Sequence, residues 1–287
     1  MEKVKSSWTI ASILTWTKQY FSEKGIDNPR LDAEVLLSHV LGKDRLYLYV
    51  NFDQPLSPTE LDTFRAAVKQ RAMRTPVAYI IGSKEFMGLD FAVSPAVLIP
   101  RPDTEILVEA AIERLAQIES PQVLDIGTGS GAIIISVLTS LPTAQGTAID
   151  ISKEALAVAC ENAKTNNVIT RLSFKQGDLF SPVPGQRFDA VLSNPPYIPV
   201  EDIAGLEPEV RREPSLALDG GKDGLNFYRR IIKEGPAYLK QGGFIALEVG
   251  AGQADAVARI ADERHFFKVV EIIKDYSGID RVVMLTS

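Results

Sequence analysis

The chain has 287 residues, 45% of them hydrophobic and 24% charged. That composition excludes disordered and fibrous classes and is long enough for about two domains. A net charge of −6 and a pI of about 5.2 exclude a global basic field that would draw the protein onto nucleic acid or anionic membrane.

The opening residues, Met1-Glu2-Lys3-Val4-Lys5-Ser6-Ser7, lead into no apolar signal core, and no run of about eighteen apolar residues occurs. The expectation is a cytoplasmic protein with no membrane contact. The single cysteine, Cys160, falls among alanines and valine in a helical stretch and reads as packing. His39 and His265 lie far apart with no ligand-like spacing around them, so no metal site is expected.

Residues 8 to 21 are apolar with helical period. A second helix starts with Asn28 as N-cap and Pro29 at its first position, carries Ala33, Leu36, Leu37, Val40 and Leu41 on one face, and stops at Gly42. Ser57-Pro58-Thr59-Glu60 is a capping box, followed by Leu61, Phe64 and Val68 at helical spacing. Residues 1–75 are therefore expected to form a small all-α domain, with Trp8, Trp16 and Tyr20 in its core. From Tyr79 to Val93 two strand-like runs are broken by Gly88, which predicts a β-hairpin in a connector spanning residues 76–100. Pro102 reads as the first position of a helix that turns Ile106, Leu107, Ala110 and Ala111 inward. For Arg101 and Thr104, helix-start chemistry and a site role are both open.

From Gln122 strands and helices alternate, the pattern of a parallel sheet covered on both faces. Strands are expected near 122–126, 145–149, 171–175, 188–193, 243–249, 266–273 and 280–286, within a domain spanning 101–287. The stretch from Pro199 to Lys222, rich in proline, glycine and charge, is too long for an ordinary connection and reads as a lid.

Val123-Leu124-Asp125-Ile126 runs into Gly127-Thr128-Gly129-Ser130-Gly131, a strand followed by a glycine-rich turn and a helix start. Such a turn lets a ligand touch backbone, and the free N–H groups of the helix attract a carboxylate or phosphate. Asp150 ends the next strand, where a carboxylate can accept both hydroxyls of a ribose. The turn also fits the relaxed dinucleotide pattern, so a nicotinamide cofactor is a rival on this motif alone. Asp178, closing the third strand, suits either an adenine amino group or the cap of a turn, and Leu179 beside it can pack on a ring.

The fourth strand, Phe188 to Ser193, runs straight into Asn194-Pro195-Pro196-Tyr197. Two prolines stop a strand and offer carbonyls without N–H groups, so this loop is rich in acceptors. The Asn194 side-chain oxygen and the Pro195 carbonyl can each accept one N–H of an NH2 group, and Tyr197 can supply a flat face. A nicotinamide enzyme has no use for such a loop. Gly127 to Gly131, Asp150, Asp178 and Leu179 with this loop describe an S-adenosylmethionine site facing an amine or amide nitrogen.

At this point the chain resembles the PrmC (HemK) family, methyltransferases that modify the glutamine of the Gly-Gly-Gln loop in class I peptide-chain release factors. The resemblance runs nearly end to end. It rests on Pro76 to Gly82 with Phe86, on Leu98 to Glu105, on Asp125 to Gly131 and on Ser193 to Ile198. It continues through Glu213-Pro214, Ala217-Leu218, Gly220-Gly221, Asp223-Gly224-Leu225 and Tyr228 to Lys274 to Gly278 with Asp280-Arg281. The fold it implies is α/β: a Rossmann-like, seven-stranded S-adenosylmethionine-dependent methyltransferase domain with one antiparallel strand, a small all-α N-terminal domain, and a β-hairpin connector. Because the methyltransferase domain looks complete without residues 1–75 and a protein substrate needs more contact than one side chain gives, the helical domain is expected to dock substrate. By position, the resemblance implies cofactor contacts at Gly127, Thr128, Gly129, Ser130, Gly131, Asp150, Leu179 and Asn194, and substrate-amide contacts at Asn194, Pro195, Pro196 and Tyr197. The partner implied is a class I release factor; the acidic composition with no separate recognition domain argues against direct nucleic-acid contact, and a monomer is expected. Two rivals share the loop or the fold: an adenine-N6 nucleic-acid methyltransferase and a non-catalytic binding module.

Overall fold

The structure is a computed structural model that describes residues 8–287; Met1 to Ser7, read above for their lack of an apolar signal core, lie outside the described residues. The chain divides into two compact units, one ending at Gly82 and one from Ser83 to Ser287.

The first unit is helical: α1 (Ile10–Glu23), α2 (Pro29–Leu41), α3 (Arg45–Val50), α4 (Pro58–Ala72) and α5 (Val77–Ile81). The expected punctuation is present. The Ser57 hydroxyl accepts from the Glu60 N–H and the Glu60 carboxylate accepts from the Ser57 N–H, while Gly42 closes α2 in the left-handed region. Asn28 stands at the N-cap of α2 without a side-chain capping bond. The core is built by Ile10, Ile13, Phe21, Leu36, Leu37 and Phe64.

Two expectations for this region change. Trp8 and Tyr20 are partly buried and pack against the core, but Trp16 does not: α1 buries the stripe Ile10, Ile13, Thr17 and Phe21, which leaves Trp16 on its flank. Trp16 is 47% exposed and stacks on Tyr20 at 5.2 Å. Tyr79-Ile80-Ile81 is helical rather than strand, because Pro76 starts a turn of helix that Gly82, at φ 84°, stops. Val77, Ile80 and Ile81 then pack against the helical core.

The second unit opens with the hairpin β1 (Ser83–Phe86) and β2 (Leu89–Ala92), whose Phe86 and Phe91 meet edge to face at 6.0 Å. Then follow α6 (Thr104–Leu115), β3 (Gln122–Ile126), α7 (Ala132–Ser140), β4 (Gln145–Asp150), α8 (Lys153–Thr165), β5 (Leu172–Gln176), β6 (Phe188–Ser193), α9 (Asn226–Glu234), β7 (Leu239–Glu248), α10 (Ala254–Asp262), β8 (Val269–Lys274) and β9 (Asp280–Thr286). α6 starts two positions later than Pro102 predicts, because residues 101–105 first form turns in which the Thr104 N–H donates to the Arg101 carbonyl and the Glu105 N–H to that of Pro102. Ala110 is only half buried.

Seven strands form one sheet in the order β5-β4-β3-β6-β7-β9-β8. The five strands from β5 to β7 are joined by four parallel pairings; β9 is antiparallel to both β7 and β8. The all-parallel pattern read from alternation is corrected here, and the single antiparallel strand implied by the resemblance is found. Alternate residues point to opposite faces. Phe244, Ala246, Val282 and Met284 join the layer of α6 and α7, while Ile245, Leu247, Val283 and Leu285 join that of α9 and α10. Cys160 is half buried on α8. No helix among the described residues is long and apolar enough to cross a membrane.

Candidate active site

The strand order reverses between β3 and β6: from β3 the chain builds outward through β4 to β5, then returns to place β6 on the other side of β3. In open α/β sheets ligands bind at that reversal, beyond the carboxyl ends of the strands. Here a cavity of about 530 Å³ lies there, within the range of small-molecule sites.

Its first wall is the turn after β3. Gly127, Thr128, Gly129 and Ser130 line the cavity, and Gly127 and Gly129 hold φ of 70° and 55°. A Cβ added at Gly127 would meet nothing within 4 Å, so at this point the backbone faces open space and a ligand can come within contact distance of it. Gly131 has another task. It is not in the cavity wall, and a Cβ there would lie 2.7 Å from Ile135 and 3.2 Å from Ala159, so its bareness lets α7 and α8 pack.

Asp150, at the end of β4, forms the second wall. Its Oδ2 accepts from the Gly129 N–H and its Oδ1 from the Ser152 N–H, each at 2.9 Å, which fixes the carboxylate and leaves further lone pairs for a ligand. Burial raises its pKa against those backbone donors. Beneath the turn, fully buried Asp125 is pushed up to about 7 by burial, opposed by the Thr128 hydroxyl that donates to it and assisted by the charge of Asp150.

After β5, Asp178 and Leu179 line the third side. Asp178 pairs with Arg230 at 2.6 Å, so one of its oxygens already has a partner. Leu179 holds φ 47° while buried. A branched residue in that region is held there by its surroundings, and such strain gathers at ligand sites.

The fourth side is the loop after β6, from which Asn194, Pro195 and Pro196 reach the cavity. The Asn194 Nδ2 donates to the Thr104 hydroxyl at 3.2 Å, and hydrogen bonding from Asn194 favours the charged form of the Glu248 carboxylate. With its nitrogen end committed, Asn194 has its carbonyl oxygen to present to a ligand. Tyr197 is not in the cavity wall. Its ring packs against the core under α9 and α10, its carbonyl accepts from Gln253, and a Cβ at Gly220 would strike its Cα at 2.7 Å. Burial, with the nearby Glu248 charge, pushes its phenol up to about 12, so the hydroxyl stays neutral.

The segment from Pro199 to Lys222 contributes to the wall of the cavity. It forms short turns at Ile203–Gly205, Val210–Arg212 and Ser215–Ala217, and Pro214, Leu216 and Ala217 face the cavity. Buried Glu213 accepts from the Ile99 N–H at 2.9 Å and pairs with Arg101. Sequence reasoning left Glu213 and Glu248 without a role and Thr104 undecided. A lone acid in the apolar run Phe244 to Val249 was the available signal for Glu248.

Two family models match the chain: residues 12–82 fit the PrmC N-terminal domain and residues 102–204 the methyltransferase small domain. A release factor glutamine methyltransferase of Geobacter sulfurreducens is 49% identical over 96% of both chains. One of Moorella thermoacetica is 45% identical over 90% of this chain and 91% of its own. Among solved structures, a methyltransferase from Pyrococcus furiosus shares the fold at 21% identity with a TM-score of 0.51, over 69% of this chain and 89% of that one. At identities of this size over nearly the whole length, the chain belongs to the release factor glutamine methyltransferase family.

Proposed function

We propose that this protein transfers a methyl group from S-adenosylmethionine to the side-chain amide nitrogen (N5) of the glutamine in the Gly-Gly-Gln motif of class I release factors. The observation that carries this reading is the meeting, at one cavity, of the open glycine turn, Asp150 and the acceptor face of Asn194-Pro195. The residues fit the cofactor: Gly127 to Ser130 offer bare backbone, Asp150 has lone pairs to spare for ribose hydroxyls, and Leu179 and Asp178 suit an adenine edge. When bound, S-adenosylmethionine supplies an electrophilic methyl group on a positively charged sulfur.

The chain's own residues then have an alignment task. An amide nitrogen is a poor nucleophile because its lone pair is delocalised into the carbonyl. Asn194 Oδ1 and the Pro195 carbonyl accept its two N–H bonds, aim the lone pair into the cavity and stabilise the positive charge that grows on nitrogen. Tyr197, held neutral, removes no proton; its ring, packed into the core, stiffens the loop from behind. The methylated amide is acidic enough to release its proton to water.

Residues 1–75 would dock the release factor, 76–100 connect, and 101–287 carry the chemistry in a cytoplasmic monomer. Exposed Leu46, Tyr49, Val50 and Phe52 on the helical unit support a docking role. The test is methyl transfer from labelled cofactor to a release factor and, in parallel, to DNA. Label in the factor alone is expected; label in DNA alone would replace this reading with the adenine-N6 one.

A further inference from the structure

Beneath the Asn194 loop lies a carboxylate that the alignment chemistry above does not use. Glu248, the last residue of β7, is 2% exposed. Hydrogen bonding from the Thr104 and Asn194 side chains favours the charged form of its carboxylate, and its buried Oε2 has no partner. Thr104, 5% exposed at the start of α6, stands between the two, accepting from Asn194 Nδ2 at 3.2 Å. The backbone beside the carboxylate is fixed as well, because the buried Tyr228 hydroxyl donates to the Glu248 carbonyl at 2.9 Å.

Direction is the point of this chain of bonds. An asparagine amide is nearly symmetric in shape and can turn over, exchanging its oxygen for its NH2. An ionised carboxylate only accepts, so the Thr104 hydroxyl must spend its proton on Glu248 and can then only accept from Asn194. We propose that Glu248 is a positioning residue: an acceptor-only group that, directly and through Thr104, holds the Asn194 amide with its nitrogen inward and its oxygen toward the substrate. This rests on the function proposed above and adds the residue that sets the polarity of its acceptor.

Such a device has a pH limit. Burial pushes Glu248 up to about 7, with Asp103 adding to the rise and Thr104, Arg281 and Asn194 opposing it. Arg281 on β9 is itself shared with Asp103 at 2.9 Å and Asp275 at 3.0 Å, while Tyr197 and Tyr228 beside the carboxylate are held neutral. Once protonated, Glu248 can donate, the bond directions are no longer forced, and an amide with its NH2 toward the substrate becomes allowed. Turnover should therefore fall as pH drops through Glu248's titration. Asp125 lies in the same range, so the limb must be assigned by substitution.

The experiment is single-turnover methyl transfer to a release factor between pH 5.5 and 8.5, with calorimetric binding of S-adenosylmethionine alongside. Glu248→Gln has the same shape but both donates and accepts. It should lower the saturated rate at pH 8 by about tenfold, with substrate and cofactor affinity held within about twofold, and abolish the acidic limb. Thr104→Val should show the same loss, and Thr104→Ser should recover most of it, which keeps the test alive if Glu248→Gln fails to fold. If the wild type methylates the factor and folded Glu248→Gln or Thr104→Val matches its rate and its pH profile, the positioning role is overturned. A wild type that methylates no release factor overturns instead the function on which the role rests.

Discussion

Glu34 in the helical unit and Glu248 in the sheet unit are sealed from water alike, at 1% and 2% exposure, yet their surroundings treat the charge in opposite ways. Around Glu34 stand Arg30, Arg45 and the Tyr49 hydroxyl, each at 2.7 Å. Burial alone would raise its pKa, but the bonds from Arg45, Tyr49 and Arg30 outweigh it and hold the carboxyl below the usual range. Glu248 has a hydroxyl and an amide to favour its charge, no ion pair among the described residues, and one bare oxygen. A carboxylate whose acceptors are filled by cations holds helices together. One kept short of partners is costly to the fold and finds its reason in what it orients.

That contrast can be broken at several points. The largest effect is expected at the residue Glu248 serves: Asn194→Ala should cut the single-turnover rate by about 10² to 10³, the range for one preorganised polar group, with a smaller change in substrate affinity. A near-normal rate would remove the loop from the chemistry. Next comes Asp150→Ala, which should weaken S-adenosylmethionine binding by roughly ten- to hundredfold in calorimetry, the worth of hydrogen bonds to a charged acceptor. Unchanged binding would assign Asp150 to the turn it braces.

On the structural side, Glu34→Ala should destabilise the helical unit by about 1 to 3 kcal/mol, at the low end if the partly exposed arginines are simply rehydrated. Both tryptophans, Trp8 and Trp16, lie in that unit, so urea unfolding followed by tryptophan fluorescence reads it selectively. Since Glu34 titrates lower when folded than unfolded, its contribution is present above the unfolded carboxylate range and is lost as pH falls through its folded value. The smallest effect has the opposite sign. Glu248 titrates near 7 when folded and near 4.5 otherwise, so the folded state gains stability by holding a proton in acid and loses it as pH rises through 7. Glu248→Gln should therefore raise the melting temperature by a few degrees at pH 8 and leave it unchanged near pH 5. A lower melting temperature at pH 8 would place Glu248 with Glu34.

Much of the fold was legible because its signals are local. The Ser57 capping box, the glycine stops at Gly42 and Gly82, and the apolar runs of β3, β6 and β9 need no distant partner. Trp16 failed because period alone does not say which edge of an apolar stripe meets the core, and Tyr79 to Ile81 because a short apolar run reads equally as strand or helix until Pro76 and Gly82 are counted as its caps. In the site, Gly127 to Ser130, Asp150 and Asn194 announced themselves through motif spacing. Glu248 did not: its meaning lies in Thr104 and Asn194, on other elements, and no spacing along the chain encodes that meeting.

The position of β9 bears on synthesis. β8 is made first, yet it joins the sheet only through β9, which sits between it and β7. Until residues 280–286 have left the ribosome, β8 has no neighbour, and β7 keeps an open flank to which a strand of another molecule could add. Glu271 and Lys274, set among the apolar residues of Val269–Lys274, put charge on the strand that must wait. The unit cannot be completed piecemeal: a ribosome that stalls before β9 leaves β7 as the open edge of the sheet and β8 with no place in it.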